Sequence, residues 1–389
     1  MRTTLPSARL LAPLLLAPLL LAGCSTFSSI TSWFSMSKPV RVPKELTEIK
    51  SAVPVRTVWK VSLGRSNDAL LEPAVTANAV YAAAGNGTVL RLTPETGAEV
   101  WRFSVDAPLA TGVGSDGFTV AVATTRGELV AIDAEGKQRW RAPLGSEAQT
   151  TPLVGRGLVV VRTADNRVVA FDAASGKRRW SAQRQAPALS VRLPMGLAYG
   201  GDLVLSGMPN GRLLALAPAN GAPRWEATIS DPRGATEVER LADVVGTPWV
   251  DGGDVCAGSY QGKVACLDVT SGALRWSRDF DAGAAPSADA RNVYAVNGKS
   301  HVAALSRTTG SQQWISDKLE WRDVSAPLPL GRALVVGDFK GYVHFLSVED
   351  GNFLARTELS GAIVVAPKAL AGGALVQTSR GELALLSIE

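Results

Sequence analysis

Val168-Val169-Ala170-Phe171-Asp172, then Ser175-Gly176, then Trp180: on this stretch the fold turns. A short apolar run enters a tight turn closed by glycine, and a tryptophan stands four residues beyond that glycine. The spacing recurs at Gly97/Trp101, Gly136/Trp140, Gly221/Trp225, Gly272/Trp276 and Gly310/Trp314. Trp59 begins the series without a glycine, and Gly351 ends it with Ala355 in the tryptophan slot. From Trp59 to Ala355 the successive steps are 42, 39, 40, 45, 51, 38 and 41 residues.

Upstream of each glycine lies a second turn: Asn86-Gly87, Arg126-Gly127, Asp165-Asn166, Asn210-Gly211, Gln261-Gly262, Lys340-Gly341 and Arg380-Gly381, with Lys299-Ser300 in the sixth unit. Gly and Asn recur because a tight hairpin needs positive φ, and Val, Leu, Ala and Tyr fill the short runs between, as strands require. Four strands in a period of 38 to 51 residues make a propeller blade. The sequence therefore predicts an all-β, eight-bladed β-propeller of four-stranded antiparallel blades over residues 51–389. The last hairpin ends in Glu382 to Ile388 with no tryptophan strand after it, and Trp59 has no hairpin before it. The N-terminal strand should complete the last blade and remove two free edges. Truncating either end should open the ring. The tryptophans Trp59, Trp101, Trp140, Trp180, Trp225, Trp276 and Trp314 read as a structural girdle between blades, since a residue repeated in nearly every blade belongs to the building unit.

The bulk composition agrees. The 389 residues are 46% apolar and 19% charged, enough for a sizeable core and against disorder. The formal charge of +5 falls to +3 without Arg2 and Arg9, and no clustered basic run gives a nucleic-acid footprint.

Residues 1–23 read as a signal peptide. Arg2 and Arg9 flank a polar start, and the apolar run Leu10 to Leu21, broken by Pro13 and Pro18, is too short to cross a bilayer. It ends in Leu21-Ala22-Gly23-Cys24, a lipobox in form, with Cys24 the expected lipidation site. Several acyl chains would hold the protein on its membrane, where one gives only marginal anchoring. Ser25 after the cysteine fits the bacterial sorting pattern for the outer membrane, periplasmic face. Residues 24–50, rich in Ser and Pro, read as the lipidated cysteine and a flexible tether. Phe27, Trp33 and Phe34 within it could touch headgroups or pack on the body.

Catalytic chemistry is not expected. The two histidines, His301 and His344, sit in apolar strand contexts without Cys, Asp or Glu at ligand spacing. No phosphate loop, nucleophile elbow or metalloprotease motif is present, so no cofactor, metal or catalytic residue is assigned. Asp133, Asp172 and Asp268 recur at one blade position and should cap turns. Cys256 and Cys266 flank the Gln261-Gly262 hairpin. They could form a disulfide in an oxidising compartment or remain two small buried thiols.

Function should lie where the repeat is broken. The two longest steps are consecutive, and in both the extra residues follow the tryptophan strand, so the insertions should emerge side by side on one face. The first, Gln183 to Met195, contains Leu189-Ser190-Val191-Arg192, and the second, Ser230 to Val245, contains Thr236-Glu237-Val238-Glu239-Arg240-Leu241-Ala242-Asp243. Aliphatic groups with arginines and carboxylates suit a protein interface with an apolar centre and a charged rim.

With its lipobox, its blades, these two loops and Val335-Val336-Gly337-Asp338-Phe339-Lys340-Gly341-Tyr342-Val343-His344, the chain resembles the BamB family of propeller lipoproteins in the outer-membrane β-barrel assembly machinery. The resemblance implies a non-catalytic scaffold, monomeric within a hetero-complex. It would bind the periplasmic POTRA domains of the insertase BamA, alongside other lipoproteins of the complex, and assist insertion of unfolded outer-membrane proteins. It places partner contacts at Leu189, Val191, Arg192, Arg240 and Asp243. Val191 stands where many relatives carry leucine, and Val245 where a second acid is frequent. The rivals are a periplasmic dehydrogenase using pyrroloquinoline quinone, which shares the repeat but usually has adjacent cysteines, and a glycan-binding propeller, which would need aromatics converging on one face.

Overall fold

The computed structural model describes residues 41–388 except 51, 68, 186–188, 192 and 194. The expected signal peptide, Cys24, and Phe27, Trp33 and Phe34 lie outside the described residues. The chain divides into Met1–Val42, almost all of it undescribed, and Pro43–Glu389. The larger unit is eight four-stranded antiparallel sheets, seven of them meanders whose neighbours in sequence are neighbours in space. The third blade, which holds the opening stretch, runs through Leu153–Gly155, Leu158–Arg162, Arg167–Asp172 and Arg178–Gln183. Its second strand is buried at every residue. Blades cover both faces of their neighbours, so inner strands read as continuous apolar runs rather than alternations.

The glycine and tryptophan of the sequence signature act between blades. Trp59, Trp101, Trp140, Trp180, Trp225, Trp276 and Trp314 each donate their indole N–H to a carbonyl of the following blade, at 2.6 to 3.1 Å. The turn glycine of that next blade lies against the same ring: a Cβ on Gly97 would come within 2.5 Å of Trp59, and one on Gly272 within 2.7 Å of Trp225. Those glycines also hold positive φ, +66° at Gly97 and +72° at Gly272. Glycine is therefore required twice, for the turn and for the ring.

Closure explains both exceptions. Val55–Ser62 pairs with Glu382–Ile388, from Val55 opposite Ile388 to Ser62 opposite Glu382, and supplies the outer strand of the eighth blade. The third and fourth strands of that blade come from opposite ends of the chain, so no turn joins them. Trp59 consequently lacks a preceding glycine, and the seventh blade, facing no such turn, carries Ala355 where its tryptophan would be. Cys256 and Cys266 stand directly opposite each other in the fifth blade, buried, and are joined as a disulfide. Asp133, Asp172 and Asp268 accept backbone N–H bonds in their turns.

Part of the stretch expected as tether is held on the body. The Lys44 N–H donates to the Glu320 carbonyl at 2.9 Å, Lys44 Nζ pairs with Asp317 at 3.0 Å, and Leu46 packs on the core between blades six and seven. The carbonyls of Lys44 and Thr47 accept from Arg322 and Arg356 at 3.0 and 3.1 Å. Backbone groups, one leucine and the Lys44 ammonium fix the segment, none of which a Ser- and Pro-rich composition reveals.

Beneath this segment Asp338 and His344, both fully buried, meet at 3.1 Å, and Arg322 bonds the same Asp338 oxygen at 2.7 Å. His301 likewise faces Glu320 at 3.3 Å. Each histidine has an acid partner that strand context alone did not indicate. Among the described residues no group of three or more His, Cys, Asp or Glu is placed to hold a metal ion.

Burial pushes the His344 pKa below its usual value, against the pull of Asp338. Above the ordinary histidine pKa of about 6.5 both folded and unfolded chains are neutral there. Below it the unfolded chain takes a proton that folded His344 refuses, so stability falls as pH falls, by up to about 1.4 kcal/mol per pH unit, until the folded pKa is reached. Denaturant melts between pH 7 and 5 should show this slope in the wild type, flattened in His344→Gln.

Candidate functional site

Both insertions join the outer strand of one blade to the inner strand of the next, at Gln183/Leu197 and Thr228/Val244. In an antiparallel meander these connections leave from the same end of the blades as the hairpins between second and third strands, so the two loops share a face with Asn210-Gly211 and Gln261-Gly262. They also touch. Met195 bridges to Gly246, and the Val191 N–H donates to Asp243 Oδ2 at 2.7 Å.

Asp243 is the tie between them. Its other oxygen accepts from the Asn210 N–H at 3.1 Å, and its own carbonyl accepts from the Tyr260 N–H at 2.9 Å. One residue thus joins the first insertion, the second, and the hairpins of blades four and five. The side chain is 1% exposed. This corrects the expectation of a rim charge free to meet a partner: the carboxylate faces inward because two loop amides, those of Val191 and Asn210, converge on it. Arg162, also buried, lies beneath with Met195 and Asn166 in hydrogen-bonding contact. Burial pushes its guanidinium pKa down to about 10, with the charge of Asp243 opposing. Burial pushes the Asp243 carboxyl up, against the Asn210 and Val191 amides and the Arg162 charge. The sequence signal for Arg162 was a lone arginine ending the run Leu158-Val159-Val160-Val161.

The second insertion builds its own tip. Thr236 and Glu239 cap one helical turn reciprocally: Glu239 Oε2 accepts from the Ala235 and Thr236 amides at 2.8 and 3.1 Å, and the Glu239 N–H donates to Thr236 Oγ1 at 3.2 Å. Those backbone bonds, the Thr236 amide's foremost, lower the Glu239 pKa. Arg240 is held by the Gly234 carbonyl at 3.0 Å and Glu237 at 3.4 Å, and remains exposed. The turn lifts Val238 into solvent, 60% exposed, while Leu189 of the first insertion is 47% exposed and Val191 half-buried. Arg192 lies outside the described residues. Leu189 and Val238 are thus exposed aliphatic side chains on two loops tied together through Asp243, and Glu237 and Arg240 flank Val238 on its turn. Val238 was not singled out from sequence, because a valine between two glutamates gives no sign of which way it points.

Replacing Asp243 by alanine should leave two inward backbone donors without acceptors, at about 1–3 kcal/mol each. Hydrogen exchange at Val191 and Asn210 should accelerate strongly while inner-strand amides keep their protection; unchanged exchange at Val191 would remove Asp243 from its role as tie.

A concavity of about 810 Å³ opens among the inner strands, lined in part by Tyr199, Trp249, Tyr260, Glu72 and Lys368. Arg156 covers the Tyr199 ring at 4.6 Å and Arg307 the Trp249 ring at 4.8 Å, and Glu72 pairs with Lys368 at 2.9 Å.

A family model described as outer membrane protein assembly factor BamB matches residues 55–111 and 85–316. The chain is 42% identical to the assembly factor of that name from Bordetella pertussis, over 96% of each protein, and 40% identical to that of Burkholderia pseudomallei, over 86% of this chain and 88% of that one. Its fold is similar to the crystal structure of BamB from Moraxella catarrhalis, with a TM-score of 0.79 and 28% identity over 86% of this chain and all of the other. A quinohemoprotein alcohol dehydrogenase from Pseudomonas putida shares the fold at a TM-score of 0.66, with 13% identity.

Proposed function

From the chain's membership of the BamB family of outer membrane protein assembly factors, we propose that it is a non-catalytic scaffold of the outer-membrane assembly complex, docking through the two insertion loops onto the periplasmic POTRA domains of a BamA-type insertase. The observation that carries the reading is the coincidence of the broken repeat, the exposed Leu189 and Val238, and the Asp243 tie that holds both loops as one surface. Leu189, Val191, Arg192 and Arg240 meet the partner, and Asp243 shapes the surface they share. An apolar centre supplies affinity, and charges at its border supply orientation and rate. Cys24, lipidated after removal of residues 1–23, keeps the scaffold at the periplasmic face of the outer membrane beside its partner.

Co-purification from membranes with the tagged, lipidated protein tests this. Wild type should bring down an outer-membrane barrel protein with periplasmic domains, and Arg192→Glu should lose most of it while keeping wild-type β circular dichroism. Retention of the partner by that variant would remove Arg192 from the interface.

A further inference from the structure

The buried cluster under residues 43–50 has a fixed protonation pattern. An arginine Nε can only donate, and Arg356 Nε lies 3.1 Å from His344 Nδ1, so Nδ1 must be the bare nitrogen. Nε2 therefore carries the proton and donates to Asp338 Oδ2 at 3.1 Å. Both imidazole nitrogens are committed. A second proton could go only to Nδ1, where it would face a guanidinium with no acceptor. The same Arg356 reaches out through a terminal N–H to the Thr47 carbonyl, and Arg322, bonded to Asp338, reaches the Lys44 carbonyl.

We propose that residues 43–50 are a strap latched onto blades six and seven by Arg322, Asp338, His344 and Arg356, and that protonation of His344 unlatches it by expelling Arg356. The charged and titratable groups facing the imidazole are Asp338 from the hairpin turn, Arg356 from the outer strand, Arg322 from the loop entering the blade, and Tyr342 from its own strand, with ring centroids 6.2 Å apart. Phe353 closes the remaining side at 5.6 Å. From the strap come only the two backbone carbonyls; the Lys44 ammonium turns away to Asp317. One acidic partner is thus shared by two guanidinium groups and an imidazole, and a third positive charge has no counter-ion.

The consequence is a change of reach. With Cys24 lipidated, as proposed above, a latched strap leaves 18 residues between the anchor and Pro43, at most about 65 Å; release back to Val53, which the Leu354 carbonyl still holds, leaves 28, at most about 100 Å. Acidification would let the propeller stand further from its membrane.

Hydrogen–deuterium exchange of the full lipidated chain in detergent, corrected for intrinsic rates, reads the strap directly and independently of partner binding. In the wild type, exchange across residues 43–50, the Lys44 amide above all, should rise about tenfold or more as pH falls from 7 to 5, the response to a coupling of at least one pKa unit. Inner-strand amides of blade seven should not follow. His344→Gln, whose amide both donates and accepts but does not titrate, should stay protected at both pH values. Arg356→Met, which removes the link to Thr47, should expose the strap at pH 7 with no further change on acidification. Equal strap protection at pH 7 and 5 in the wild type, a pH response surviving in His344→Gln, or a protected strap in Arg356→Met would each overturn the proposal.

Discussion

Deleting residues 382–389 should abolish the cooperative fold. That segment brings Leu383, Leu385 and Leu386 into the core at 0 to 2% exposure, together worth roughly 5–9 kcal/mol of apolar burial. It is also the partner of Val55–Ser62, so its loss frees the strand that carries Trp59 and uncovers Gly97 of the first blade. Against a total stability of about 5–15 kcal/mol, losing that burial together with the pairing of Val55–Ser62 removes most or all of the margin. Gel filtration should find an expanded or aggregated species, and near-ultraviolet circular dichroism should lose its tryptophan bands. Removing Val55–Ser62 should do the same from the other end. A compact, cooperatively melting seven-bladed product from either deletion would contradict closure by the two termini.

Leu189→Asp should weaken docking on the assembly partner by about 30- to 1000-fold, the range that an apolar hot spot of roughly 2–4 kcal/mol commands. The fold should be untouched, because the side chain is 47% exposed and substitutions at such positions cost within about 0.5 kcal/mol. Val238→Asp, 60% exposed on the neighbouring loop, should act alike. If both lie in one interface their effects should be less than additive, since the first charge already wets the apolar centre. Full additivity would place them in separate surfaces.

The propeller was legible because each blade writes its turns locally, in hairpins that mostly carry Gly or Asn and in the glycine before all but the first of the recurring tryptophans. What the spacing could not tell was the partner of each ring: Gly97 precedes Trp101 in sequence yet supports Trp59 in space. The two insertion loops were legible as breaks in a period. Asp243 was misread, since an acid at the end of a polar insertion looks solvated, and nothing in the sequence ties it to an amide 52 residues away. The strap was hidden for a similar reason. Most of its bonds run through the backbone, the carbonyls of Lys44 and Thr47 and the Lys44 N–H, and backbone groups leave no mark on composition. His344 looked isolated because its partners, Asp338 and Arg356, stand six and twelve residues away and meet it only when strands pair.

Placement of the proposed partner on the insertion face is tested most directly by titrating purified POTRA domains of a BamA-type insertase into wild type, Leu189→Asp and Phe118→Asp. Phe118 is 75% exposed on the turn between the first two strands of blade two, at the opposite end of the propeller. Its greater exposure makes it the stricter control for nonspecific stickiness. Wild type and Phe118→Asp should bind alike, with Leu189→Asp weakened about 30-fold or more. Wild-type affinity in Leu189→Asp, or its loss in Phe118→Asp, would contradict the account.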